Sequence, residues 1–134
     1  MLRGLTTVNF FADDLTEARA WYTKVFGGDP YFARDVEGEP AYIEWRIGDY
    51  QHEFGLLHSR FAPHPYTGQP SGAMIYWAVD DAQEAYQRLL SLGATSHREP
   101  TEHGPGFVTA SVVDPFGNVL GVMVNQHYLD VLAR

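Results

Sequence analysis

The sequence predicts an α+β fold made of two β-α-β-β-β modules in tandem. Three observations carry that prediction. The block Asp13-Asp14-Leu15-Thr16-Glu17-Ala18 returns 67 residues later as Asp80-Asp81-Ala82-Gln83-Glu84-Ala85, the kind of self-similarity sought before any finer reading. Each block opens a stretch whose apolar residues recur at steps of three and four, which puts them on one helix face. Short segments rich in β-branched and aromatic residues precede and follow each stretch, and these read as strands.

The elements follow in order. Val8-Asn9-Phe10-Phe11 and Ile75-Tyr76-Trp77-Ala78 read as the opening strands of the two modules. The first helix presents Leu15, Ala18, Tyr22 and Val25, and the second presents Ala82, Ala85, Leu89 and Leu92. Asp14 and Asp81 can accept hydrogen bonds from first-turn amides, with Glu17 and Glu84 three residues on, as in a capping box. Gly27-Gly28 and Gly93 suit the left-handed position that ends a helix. Three strands are expected after each helix: near Pro30–Asp35, Ala41–Ile47 and Glu53–His58, then near Thr95–Arg98, Gly106–Val113 and Val119–Asn125. Turn-forming residues separate them at Gly48-Asp49-Tyr50, Gly104-Pro105-Gly106 and Asp114-Pro115-Phe116-Gly117-Asn118. The expected organisation is a single domain over 1–134, with module 1 at 4–59, a linker at 60–72, module 2 at 73–126 and a tail at 127–134 that forms one or two helical turns. The linker is too rich in proline and glycine for a helix.

Composition narrows the function. The chain has 134 residues, enough for one core without staples. It carries 9 basic and 17 acidic residues, a net charge of −8, which disfavours nucleic-acid partners because phosphate contacts need a basic patch and tolerates a cationic small molecule more readily. Cysteine is absent, which excludes disulfides, thiolate metal sites and cysteine nucleophiles. No apolar run approaches the length of a bilayer span, and Met1–Phe11 has no signal-peptide pattern, so the expectation is a cytoplasmic protein with no membrane partner. There is no nucleophile elbow, phosphate loop or dinucleotide fingerprint.

The paired modules resemble the vicinal-oxygen-chelate superfamily, which groups glyoxalases, bleomycin resistance proteins and dioxygenases. The resemblance is carried by Asn9-Phe10-Phe11-Ala12-Asp13-Asp14-Leu15, Trp21-Tyr22, Phe26-Gly27, Tyr76-Trp77-Ala78-Val79-Asp80-Asp81, Leu92-Gly93-Ala94 and the closing Val113-Asp114-Pro115-Phe116-Gly117-Asn118. It implies curved mixed sheets around a central cavity with the helices outside, a homodimer, and in enzymatic members a divalent metal held by His or Glu from the first and last strands of each module. Carried over by position, those ligands fall at Thr7, Gly55, Met74 and Gly121. Threonine, glycine and methionine are poor ligands for a hard cation, so no metal or other cofactor is expected, and the two glycines are expected to enlarge the cavity.

Strand alternation extends the candidate cavity lining. Asn9 shares the face of Thr7, Tyr76 that of Met74, Glu53 and Leu57 that of Gly55, and Met123 that of Gly121, with Phe11 added from the first strand. Glu53 is the one carboxylate expected there. The alternate residues, Val8, Phe10, Phe54, Leu56, Ile75, Trp77, Leu120 and Val122, are expected to pack under the helices. Of the six histidines, His52, His58, His64, His97, His103 and His127, none has a close metal-ligand spacing; His58 and His103 are the candidates for the cavity rim and for an unusual metal cluster with Glu53. The favoured expectation is a metal-free protein that binds a small organic molecule, with no catalytic residues assigned. The alternatives are a metal-dependent lyase of the lactoylglutathione-lyase kind or a dioxygenase, either with a displaced ligand set that includes Glu53, and an interaction domain with a vestigial cavity.

Overall fold

The repeat becomes two compact units, Met1–Gln69 and Pro70–Arg134, in a computed structural model that describes residues 1–70 and 72–134. Ser71, in the expected linker, lies outside the described residues. Among the described residues eight strands form two mixed four-stranded sheets, neither closed into a barrel, and three α-helices accompany them. The architecture is the α+β arrangement of two βαβββ modules expected from the sequence.

In the first unit β1 (Thr7–Ala12) leads into α1 (Leu15–Phe26), followed by β2 (Phe32–Val36), β3 (Glu39–Ile47) and β4 (His52–His58), in sheet order β1-β4-β3-β2. The Asp14 carboxylate accepts from the Glu17 amide at 2.9 Å and starts α1; Gly27, at φ 76°, ends it. Leu15, Ala18, Trp21 and Tyr22 are its buried residues, and Val25 is half-buried. Tyr22, Phe10, Phe26, Trp45 and Phe54 pack ring against ring, with centroids 4.9 to 6.4 Å apart. Such pairs add to the apolar burial itself. The β2–β3 hairpin turns on Glu37-Gly38, both at positive φ, the backbone that suits a two-residue hairpin loop.

The second unit repeats the plan with β5 (Tyr76–Ala78), α2 (Ala82–Ser91), β6 (Thr95–Gly104), β7 (Phe107–Val113) and β8 (Val119–Asn125), in order β5-β8-β7-β6, and ends in α3 (Gln126–Leu132). Asp81 caps α2 through the Glu84 amide at 2.9 Å. Ala82, Tyr86 and Leu89 are the buried residues of α2; Ala85 and Leu92 are half-buried. The buried Asp114 organises the last turn by accepting from the amides of Phe116 and Asn118 and from Asn118 Nδ2, at 2.8 to 2.9 Å. The Asp-Pro-Phe-Gly-Asn stretch is therefore a structural clasp.

Most strand bounds fall within two residues of expectation, and one departs further. β6 runs on to Gly104 instead of stopping at Arg98, because register shifts on either side of Pro100 let the ladder pass a residue with no N–H to donate. β5 is only three residues long, so Met74 precedes the strand and is exposed.

Candidate functional site

Each sheet buries one face under its own helix, and strand alternation assigns everything else to the opposite face. In the first unit Phe10, Ile43, Trp45, Phe54 and Leu56 are buried on the helix side. The face away from α1 is fixed by register. Thr7, Glu53 and Arg46 lie abreast across β1, β4 and β3; Asn9, Gly55, Glu44 and Phe32 form the next row; Phe11, Leu57, Tyr42 and Arg34 form the one after.

The first row is a closed polar network. Thr7 Oγ1 donates to Glu53 Oε2 at 2.5 Å, and Arg46 Nη2 meets Glu53 Oε1 at 3.0 Å. Arg46 Nη1 also donates to the Gln51 carbonyl at 3.3 Å. In the middle row Glu44 is 8% exposed, and Tyr42 Oη donates to its Oε1 at 2.5 Å. Burial holds the Glu44 carboxyl above its usual range; the Glu53 charge adds to this and Arg46 opposes it. The Tyr42 phenol is raised by burial first, then by Glu53, again against Arg46. Tyr42 therefore stays a neutral donor at physiological pH.

Two expectations are corrected here. Glu53 is not the one carboxylate on this face, since Glu44 shares it. The glycines do not open space. A Cβ on Gly55 would lie 2.6 Å from Tyr42 Oη and Cε1 and would also meet Asn9 Oδ1; a Cβ on Gly121 would lie 2.6 Å from the Ile75 carbonyl and 2.7 Å from the Tyr76 ring. Each glycine admits a neighbouring polar or aromatic group across the strand. Of the sequence candidates, Thr7, Asn9, Phe11, Glu53, Gly55 and Leu57 share the first sheet's face, with Thr7 opposite Glu53 and Gly55 opposite Asn9. Tyr76, Gly121 and Met123 are strand residues of the second sheet, Tyr76 directly opposite Gly121. Sequence reasoning missed Tyr42, Glu44 and Arg46. The signal was present in Ala-Tyr-Ile-Glu-Trp-Arg-Ile, residues 41–47, where apolar and polar side chains alternate strictly.

The face of the second sheet carries hydroxyls paired with histidines. Ser111, 1% exposed, lies opposite Gly121 and shares a 2.8 Å hydrogen bond with His97 Nδ1. Thr109 lies opposite Met123 and pairs with His103 Nε2 at 2.8 Å. His103 also lies 5.2 Å from the Phe107 ring, while His58 accepts from the Arg60 amide at the far end of β4 from Glu53. No contact joins Glu53 to a histidine among the described residues.

The family model for the Glyoxalase/Bleomycin resistance protein/Dioxygenase superfamily matches residues 4–122, and the chain belongs to that superfamily. It is similar in structure to a glyoxalase-related enzyme from Fulvimarina pelagi, at 18% identity over 93% of this chain and 90% of that one, with a TM-score of 0.72. A superfamily member from Sphaerobacter thermophilus is 19% identical over 91% and 97%, also with a TM-score of 0.72. A lactoylglutathione lyase from Agrobacterium tumefaciens is 19% identical over 96% and 98%, with a TM-score of 0.67. At these identities the likeness is one of fold. No curated sequence matches the chain.

The superfamily's metal can be tested against the residues present. Thr7, Gly55, Met74 and Gly121 supply no carboxylate or imidazole, and both Glu53 oxygens are already engaged by Thr7 and Arg46. No group of three or more His, Asp or Glu among the described residues is arranged to hold a metal. This donor set does not fit a divalent cation. No helix among the described residues is long and apolar enough to cross a membrane.

Proposed function

We propose that this chain is a small-molecule-binding member of its superfamily that works without the standard metal centre, through the face of the first sheet. The observation that carries the reading is the Thr7–Glu53–Arg46 network: the carboxylate opposite Thr7, one of the family's ligand positions, is spent on a hydroxyl and a guanidinium. Beside that network lie a buried carboxylate, a phenol donor and exposed aromatic rings, a few placed polar groups among apolar surface, as ligand sites require. The reading also takes the protein to be a cytoplasmic homodimer, in keeping with its family. A lyase or dioxygenase with a displaced metal would need Glu53 freed from both partners.

Metal analysis and native mass spectrometry of purified protein equilibrated with Zn, Ni, Fe or Mn test the proposal. The expected result is less than stoichiometric metal, with saturable binding of organic ligands in a thermal-shift screen and a dimer mass. Stoichiometric metal that disappears in Glu53→Ala would refute it.

A further inference from the structure

Glu44 is a carboxylate that the fold largely buries with no salt bridge to a cation among the described residues. It sits mid-strand between Gly55 on β4 and Phe32 on β2. A carboxylate has room for about four hydrogen bonds. Among the described residues Tyr42 is the one donor to Glu44, on Oε1, and Oε2 is open to a donor from solution. Arg46, two residues on and on the same face, commits its guanidinium to Glu53 and the Gln51 carbonyl.

The surroundings of Glu44 are aromatic and partly open. Phe32, 46% exposed, lies 6.3 Å from the Tyr42 ring and 6.4 Å from the Tyr31 ring, and Tyr31 in turn carries the Arg46 guanidinium at 5.2 Å. Phe32 lies directly across the β2–β3 ladder from Glu44, so aromatic surface adjoins this carboxylate. Aromatic surface of this kind attracts both other rings and cations. The repeat-related position in the second unit is Ser111, whose hydroxyl is already paired with His97, so the feature belongs to one module only. A net charge of −8 draws cations toward the protein at a distance.

We infer that the site takes an organic cation that carries an aromatic ring, its N–H group donating to Glu44 and its ring lying against Phe32 and Tyr42. This rests on the small-molecule reading above and names the ligand class. Its chemistry is balanced without any reaction: the cation's N–H donates to Glu44 Oε2, and Tyr42 continues to donate to Oε1.

The test is calorimetric titration of the full-length protein at neutral pH with tryptamine and 2-phenylethylamine, set against indole-3-ethanol, 2-phenylethanol and indole-3-acetate. The amines are expected to bind at least tenfold more tightly than the matching alcohols, with indole-3-acetate weakest. Glu44→Gln should erase the amine preference, Glu44→Asp should keep part of it, and Phe32→Ala should weaken amines and alcohols alike. NMR spectra of each variant establish that it is folded, and the amine-to-alcohol ratio in the unmodified protein needs no variant. Alcohols that match the amines, or an amine preference that survives Glu44→Gln, overturn the inference and leave the small-molecule reading standing. Failure of every compound to bind overturns both.

Discussion

The two units share a plan and differ in what they display. Both cap their helix with aspartate at the same relative position, and both put a glycine in the last strand of the sheet opposite a side chain that leans over it. On the face away from the helix the first unit carries Glu44, Arg46 and Glu53, whereas the equivalent strand of the second carries Ser111 and Thr109, each with a histidine partner, and Val113. The repeat is thus held by what lies under the helices, and the other face is free to diverge. Charge gathered in one unit makes that unit the place to look for a ligand.

The glycines give the sharpest break of the symmetry. At Gly121 an added methyl meets a backbone carbonyl, which cannot move without disturbing β5; at Gly55 it meets the ends of Asn9 and Tyr42, which can swing aside. Gly121→Ala is expected to destabilise by about 2–3 kcal/mol and Gly55→Ala by about 1 kcal/mol, within the range for overpacking. Chemical denaturation measures both; equal costs would show that the two sheets tolerate crowding alike.

Glu44 provides the next effect, in the opposite direction. Its carboxyl titrates higher in the folded chain than in the unfolded one, so the folded state holds the proton more tightly. Its penalty is absent below the ordinary carboxylate range and grows as pH rises through the raised value. Burial sets most of this balance, with Glu53 on β4 adding to it and Arg46 on β3 opposing it. Glu44→Gln should therefore stabilise the protein at neutral pH, and the gain should fade as pH falls into the ordinary carboxylate range. A gain that is constant across pH would remove ionisation as its cause. Ser111→Gln or Ser111→Ala should show no such pH dependence.

The smallest effect belongs to Arg46. The ion pair with Glu53 is half in water, at 41% and 26% exposure for its two side chains, and exposed pairs contribute little. Arg46→Gln should cost about 0.5 kcal/mol at low ionic strength and less at high salt. Because Arg46 opposes the upward shift at Glu44, the same variant should move the pH window of Glu44 further upward. A loss well above 1 kcal/mol would place the pair at the centre of the unit's stability.

Much of this was legible in the sequence because it depends on local rules. Asp14 and Asp81 announce the helix starts, Gly27 ends α1, and the alternation of Phe54, Leu56, Leu120 and Val122 marks the buried faces. The length of β6 was not, since a proline usually ends a strand and only the bulges beside Pro100 let it continue. The polar network was partly legible. Thr7, Asn9 and Glu53 follow from alternation along their own strands. Their partners on β3 required knowing that β3 lies beside β4, and in what register.

The amino-acid order alone determined two copies of one β-α-β-β-β unit, their caps and their apolar faces, because capping and periodicity act over a few residues. Tertiary structure alone decided that Glu53 is neutralised by Arg46 while Glu44, two residues from that arginine in the chain, is left with a single phenol donor. Pairing between strands depends on which residues fall opposite one another, and that is set by sheet order and register, which no short stretch of sequence encodes.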